Sequence, residues 1–119
     1  MKTILLCEDD QNQRLLIKEE LEEHGYKVEE AKDGREALAK LQTLTPDLIV
    51  LDIRMPNMDG IETLSKIVEE NKKVPVILHT AYSNYKQNYM SWAADAYVVK
   101  SSDLTDLLGK IEELLNKAK

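Results

Sequence analysis

Pro46-Asp47-Leu48-Ile49-Val50-Leu51-Asp52 sets four consecutive aliphatic residues between acids, and the reading of this stretch decides the fold. So short an apolar run, closed by Pro on one side and charge on the other, reads as a strand. Because neighbouring side chains of a strand point to opposite faces, an unbroken apolar run means burial on both faces, as in a helix-covered parallel sheet. Outward from it the pattern recurs. Ile4-Leu5-Leu6-Cys7 precedes it, and Val76-Ile77-Leu78 and Tyr97-Val98-Val99 follow. Tyr26 to Ala31 alternates instead, which predicts an edge strand with one wetter face.

Helical patterns fill the intervals. Residues 11–24 carry Leu15, Leu16, Ile17 and Leu21, with Gly25 as a C-terminal stop. Residues 34–44 carry Ala37, Leu38 and Leu41 ahead of Pro46, and 61–71 place Ile61, Leu64, Ile67 and Val68 on one stripe. A weaker, polar helix with Tyr85, Tyr89 and Trp92 is read over 84–92. In the last helix Leu104, Leu107, Leu108, Ile111, Leu114 and Leu115 keep the 3.6-residue period, behind an N-cap signal from Ser102 and Asp103. Five strands in strict alternation with five helices predict an α/β fold of (βα)5 type: a parallel five-stranded sheet in a three-layer sandwich.

The chain's 119 residues suit one domain, 1–119. Hydrophobic residues make up 43% but aromatics only 5%, with no Phe, so the core must be aliphatic. A net charge of −6 argues against direct nucleic-acid binding, which needs a basic footprint. A single cysteine, Cys7, excludes an internal disulfide and fits a reducing compartment. Neither a signal peptide nor a membrane-spanning run is legible, so the expected location is cytoplasmic, without membrane contact. The start at Met1 and the polar end from Asn116 to Lys119 lean towards a stand-alone protein.

Chemistry gathers at the strand ends. Glu8, Asp9 and Asp10 follow the first strand, Asp52 the third, Thr80 the fourth and Lys100 the fifth. Open parallel sheets bind ligands beyond the carboxyl ends of their strands, where the winding reverses. The proposed edge strand, ending near Ala31, delivers no such group, which fits a strand order of 2-1-3-4-5. Taken singly, an acid here caps the next helix, Thr80 is a loop hydroxyl and Lys100 a surface charge. Together, several carboxylates in one crevice repel one another, and a divalent cation is the usual compensation. An all-oxygen donor set that keeps several waters suits Mg²⁺.

At this point the sequence resembles the response-regulator receiver family of two-component signalling. The resemblance rests on Ile4 to Asp10, on Pro46 to Gly60, on Thr80-Ala81 and on Tyr97-Val98-Val99-Lys100, and covers essentially the whole chain. It implies a flavodoxin-like fold and a phosphoacceptor at Asp52, charged by a sensor histidine kinase or a histidine phosphotransfer protein. It implies a site for Mg²⁺, with Mn²⁺ as a substitute, in which Asp9 is a direct ligand, Glu8 acts mainly through water, and Asp52 and the Arg54 backbone carbonyl complete the protein donors. Lys100 matches the family's lysine, Thr80 its switch hydroxyl, Ala81 the amide that meets the phosphoryl group, and Tyr97 the aromatic that changes rotamer. The output is expected through the face of the fourth helix, fifth strand and fifth helix, towards a downstream protein. The expected state is a monomer or a weak, phosphorylation-dependent dimer. Two positions depart from the family: Ser101 stands where Pro usually follows the lysine, and Ala93-Ala94 where a Gly-Ala pair is usual. The first predicts a rearranged turn before Asp103.

Other readings share parts of this pattern. A flavodoxin-type cofactor protein needs a phosphate-cradling loop after the first strand, where Glu8-Asp9-Asp10 would repel the phosphate. A haloacid-dehalogenase-type phosphatase needs a second Asp two residues after the first, and Arg54 stands there. A non-phosphorylated pseudo-receiver would lack Asp52 or its acidic partners, and all are present. The expectation is therefore a signalling switch that promotes only its own phosphorylation and dephosphorylation, not an independent enzyme.

Overall fold

The computed structural model describes residues 1–52, 58–70, 73–81, 94–101 and 103–117, leaving aside the side chains of 58–62 and 117. Its elements run β1 (Thr3–Cys7), α1 (Gln11–Glu23), β2 (Lys27–Ala31), α2 (Gly34–Leu41), β3 (Leu48–Leu51), α3 (Met58–Glu70), β4 (Val76–Thr80), β5 (Ala96–Val99) and α4 (Thr105–Lys117). All four strand pairings are parallel and the order is β2-β1-β3-β4-β5. The helix expected over 84–92 falls outside the described residues, so the C-terminal helix here is α4. Arg54 and Ser102 lie outside them too.

The sheet separates two aliphatic layers. Ile4, Leu6, Val50, Ile77 and Val98 join Ile17 and Leu21 of α1 and Leu107, Ile111 and Leu115 of α4 on one face. Leu5, Cys7, Ile49, Leu51 and Leu78 join Ala37 of α2 and Leu64 and Ile67 of α3 on the other. Alternate residues of each strand feed opposite layers, which is why the strands read as unbroken apolar runs.

Some expectations are refined. Leu15 and Leu16 are 53% and 58% exposed, so the buried stripe of α1 is Ile17 and Leu21, four residues and about one turn apart. Val99 is 40% exposed, because β5 is an edge strand as β2 is. Gly25 takes φ +89°, the left-handed conformation expected of a glycine helix stop. Before α4, Ser101 Oγ donates to the Asp103 carbonyl at 2.7 Å, and Asp103 Oδ1 accepts from Thr105 N at 3.0 Å.

Candidate functional site

Each chemistry-bearing residue continues a strand by one more ladder bond. Glu8 N donates to Ala31 O at 3.0 Å, Asp52 N to Cys7 O at 3.0 Å, and Lys100 N to Thr80 O at 2.7 Å. Side-chain alternation then carries on past the strand ends. Glu8 follows Leu6, Asp52 follows Val50 and Lys100 follows Val98, all three of which belong to the α1/α4 layer. Three residues from three strands therefore arrive on one side of one crevice.

The lysine sits between the acids. Lys100 Nζ lies 2.8 Å from Glu8 Oε1 and 3.3 Å from Asp52 Oδ2. Glu8 is buried at 1% exposure, and its other oxygen accepts from Asp10 N at 3.2 Å. Glu8, Asp9 and Asp52 each offer a carboxylate oxygen, all within 4.8 Å of one another. When all are ionised, three carboxylates against one ammonium leave two negative charges, the charge of one divalent cation.

Without a cation a proton partly fills that role. Burial pushes the Glu8 carboxyl up to about 7 and the Asp52 charge adds to this, against the pull of the Lys100 ammonium. Burial raises Asp52 as well, opposed chiefly by Lys100. Lys100 is itself raised, since its two carboxylate partners outweigh its burial.

The residues fit Mg²⁺. Glu8 Oε1 is buried and has the Lys100 ammonium, 2.8 Å away, as its neighbour, so a hydrated cation would meet a carboxylate that is already positioned. The donors are all hard oxygens, and exposed Asp9 leaves room for the waters that Mg²⁺ retains.

Thr80 is buried at the end of β4, and its carbonyl accepts the Lys100 amide, which ties hydroxyl and amine together. Ala81 follows, exposed. Tyr97 is buried in the α2/α3 layer and lies opposite Leu78, so it is two ladder positions back from Val99, the partner of Thr80. Asp10, grouped by sequence with the acids, instead caps α1 by accepting from Gln13 N at 3.0 Å.

Two residues escape the sequence reading. Arg14 of α1 donates Nη1–H to the Glu8 carbonyl at 2.8 Å. His79 is 3% exposed on β4, and burial, with the Lys100 charge, pushes its imidazole down to about 4. The apolar run read as Val76-Ile77-Leu78 stops one residue short of it.

Comparison with known proteins agrees with this architecture. Residues 4–112 match the model of the response regulator receiver domain. The response regulator ArlR of Staphylococcus saprophyticus is 37% identical over 119 residues, which span 98% of this chain and 54% of ArlR. The chain thus spans about half the length of that curated relative. Among solved structures, the response regulator protein TrrA of Thermotoga maritima, in complex with Mg²⁺ and BeF, superposes with a TM-score of 0.88 at 46% identity, covering 96% of this chain and 99% of TrrA. TrrA in complex with the histidine kinase ThkA superposes at 0.86, again at 46% identity, over 97% of this chain and 99% of the other.

The parallel 2-1-3-4-5 sheet, with an acidic cluster and a lysine at its carboxyl edge, is that of a receiver domain. The chain belongs to the response regulator receiver family.

Among the described residues no helix is long and apolar enough to cross a membrane.

Proposed function

We propose that this chain, as one receiver domain over 1–119, accepts a phosphoryl group on Asp52 from a phosphorylated histidine of a sensor kinase or phosphotransfer protein. The observation that carries the proposal is the placing of Asp52 Oδ2 3.3 Å from Lys100 Nζ, within one cluster with Glu8 and Asp9. A carboxylate oxygen of Asp52 attacks phosphorus, an O–P bond forms, and the N–P bond breaks with its electron pair passing to the imidazole, which takes up a proton. Such transfer needs positioning and charge neutralisation more than covalent help. Asp9, Asp52, the Arg54 carbonyl and, through water, Glu8 would hold Mg²⁺, or Mn²⁺ in its place, which would supply charge neutralisation to the phosphoryl oxygens. Lys100 meets a phosphoryl oxygen in place of the Asp52 oxygen it now faces. ArlR is named as a response regulator and TrrA is seen with a histidine kinase and with Mg²⁺ and BeF, which supports this reading.

The phosphoryl group adds charge and strong acceptor oxygens. The Thr80 hydroxyl and the Ala81 amide move to meet them, and Tyr97 takes the space vacated. The change then reaches the face of the 84–92 segment, β5 and α4, where a downstream protein reads it. The domain turns over no other substrate, does not bind nucleic acid itself, acts in the cytoplasm, and is a monomer or a weak phosphorylation-dependent dimer.

The test is intact-mass measurement after incubation with acetyl phosphate and Mg²⁺. One phosphoryl group is expected on the wild type and none on Asp52→Asn, with Asp10→Asn and Asp47→Asn still labelled. Full labelling of Asp52→Asn would falsify the assignment.

A further inference from the structure

The turn Glu8-Asp9-Asp10 carries two of the three clustered acids. Backbone amides hold it: Glu8 N donates to Ala31 O at 3.0 Å, Asp10 N to Glu8 Oε2 at 3.2 Å, Gln13 N to Asp10 Oδ1 at 3.0 Å and Arg14 N to Asp10 O at 2.8 Å. A further bond comes from a side chain outside the turn, Arg14 Nη1 to the Glu8 carbonyl at 2.8 Å. On the same guanidinium, Nε donates to Glu30 Oε1 at 3.2 Å. Glu30 Oε2 accepts from Lys18 Nζ at 3.0 Å. A planar guanidinium with two of its donors engaged in different directions has its orientation fixed. The Arg14 side chain is only 17% exposed, so water competes weakly for both bonds.

The carbonyl that Arg14 holds belongs to the peptide between Glu8 and Asp9. That unit is planar, so fixing its oxygen fixes the plane from which Asp9 departs. Asp9 is exposed. Charge alone would make an arginine beside a cation site a disadvantage. Glu30 neutralises it from the β2 side, and what remains at the turn is a directed donor.

We propose that Arg14 is a positioning residue for the cation site: it holds the Glu8–Asp9 peptide so that both carboxylates face Asp52, and Glu30 anchors it. The inference rests on reading the acidic cluster as a divalent-cation site. A purely structural tie between α1 and β2 is the competing role, and Lys18 serves as its control. Lys18 shares Glu30 with Arg14 and makes no bond to the turn among the described residues.

The experiment is a Mg²⁺ titration of the ¹⁵N-labelled full chain, followed at the Asp9 and Asp10 amides, beside urea unfolding without metal. Arg14→Met weakens Mg²⁺ binding about ten-fold, the lower end of what loss of a ligand-orienting partner costs. It also displaces the Asp9 and Asp10 amide shifts before any metal is added. Arg14→Lys, which keeps a charged donor, recovers binding to within about three-fold of wild type. Lys18→Met leaves affinity and shifts as in the wild type, whatever stability it loses. Should Arg14→Met not fold, Glu30→Gln replaces it and must weaken Mg²⁺ binding where Lys18→Met does not. Wild-type affinity in Arg14→Met, or equal losses in Arg14→Met and Lys18→Met, overturns the positioning role. A wild type that binds no Mg²⁺ overturns the cation site and the positioning role with it.

Discussion

Replacing Glu8 by Gln should make the metal-free protein more stable at pH 8, although it removes a charge lying 2.8 Å from an ammonium. The folded protein holds the Glu8 proton more tightly than the unfolded chain does, about 7 against 4.5. The stability this contributes is fully present below pH 4.5 and is lost as pH rises through 7. At 1.36 kcal/mol per pKa unit, ionising Glu8 costs the folded state roughly 3 kcal/mol at pH 8 and under about 1 kcal/mol at pH 5. Gln keeps the shape and neutrality of the protonated acid, so the variant avoids that loss. For a domain of this size roughly 3 kcal/mol is on the order of 10 °C in Tm. The assay is urea and thermal unfolding of wild type and Glu8→Gln from pH 5 to 8 in chelator, then with Mg²⁺. The difference between the two proteins should grow with pH in chelator. It should shrink when Mg²⁺ is added, since Mg²⁺ at a hundred times its Kd returns about 2.7 kcal/mol to whichever protein binds it. A difference independent of pH, or a Glu8→Gln protein less stable than wild type at pH 8 without metal, would refute the reasoning.

His79 titrates in the opposite sense, and for this reason the wild-type pH profile alone does not isolate Glu8. Its folded-state value near 4 lies below the ordinary 6.5, so stability is lost as pH falls through that window. His79→Leu should therefore gain about 2 kcal/mol over wild type at pH 5 relative to their difference at pH 7.5. An imidazole that titrates above pH 6 by NMR contradicts this. At the start of α2, a Cβ on Gly34 would run into the Thr63 hydroxyl of α3. Gly34→Ala should cost about 1–3 kcal/mol in urea unfolding, as overpacking does, and Thr63→Ser should not relieve it, because the obstructing oxygen remains.

The sheet was legible because burial on both faces leaves a mark that needs no context: Leu48 to Leu51 and Ile4 to Cys7 are apolar at every position. The strand-end acids and the lysine were legible for a related reason, since a charge immediately after such a run must emerge at the sheet edge. Leu15 and Leu16 misled because apolar character does not specify which side of a helix is covered. Only the i, i+4 pair Ile17 and Leu21 reaches the sheet layer. Arg14 left no trace in the sequence, because its partner at the turn is a backbone oxygen, and every residue has one. His79 was hidden by its neighbours, as a polar residue closing an apolar run looks like the end of the strand.

The amides of Glu8, Asp52 and Lys100 are all stitched into the ladder of the sheet. Deuterium should therefore enter these positions more slowly than it enters unbonded loop amides, though faster than it enters the middle of the strands. The reactive edge behaves as an anvil. A group added at Asp52 meets a backbone whose amide is already tied to the neighbouring strand.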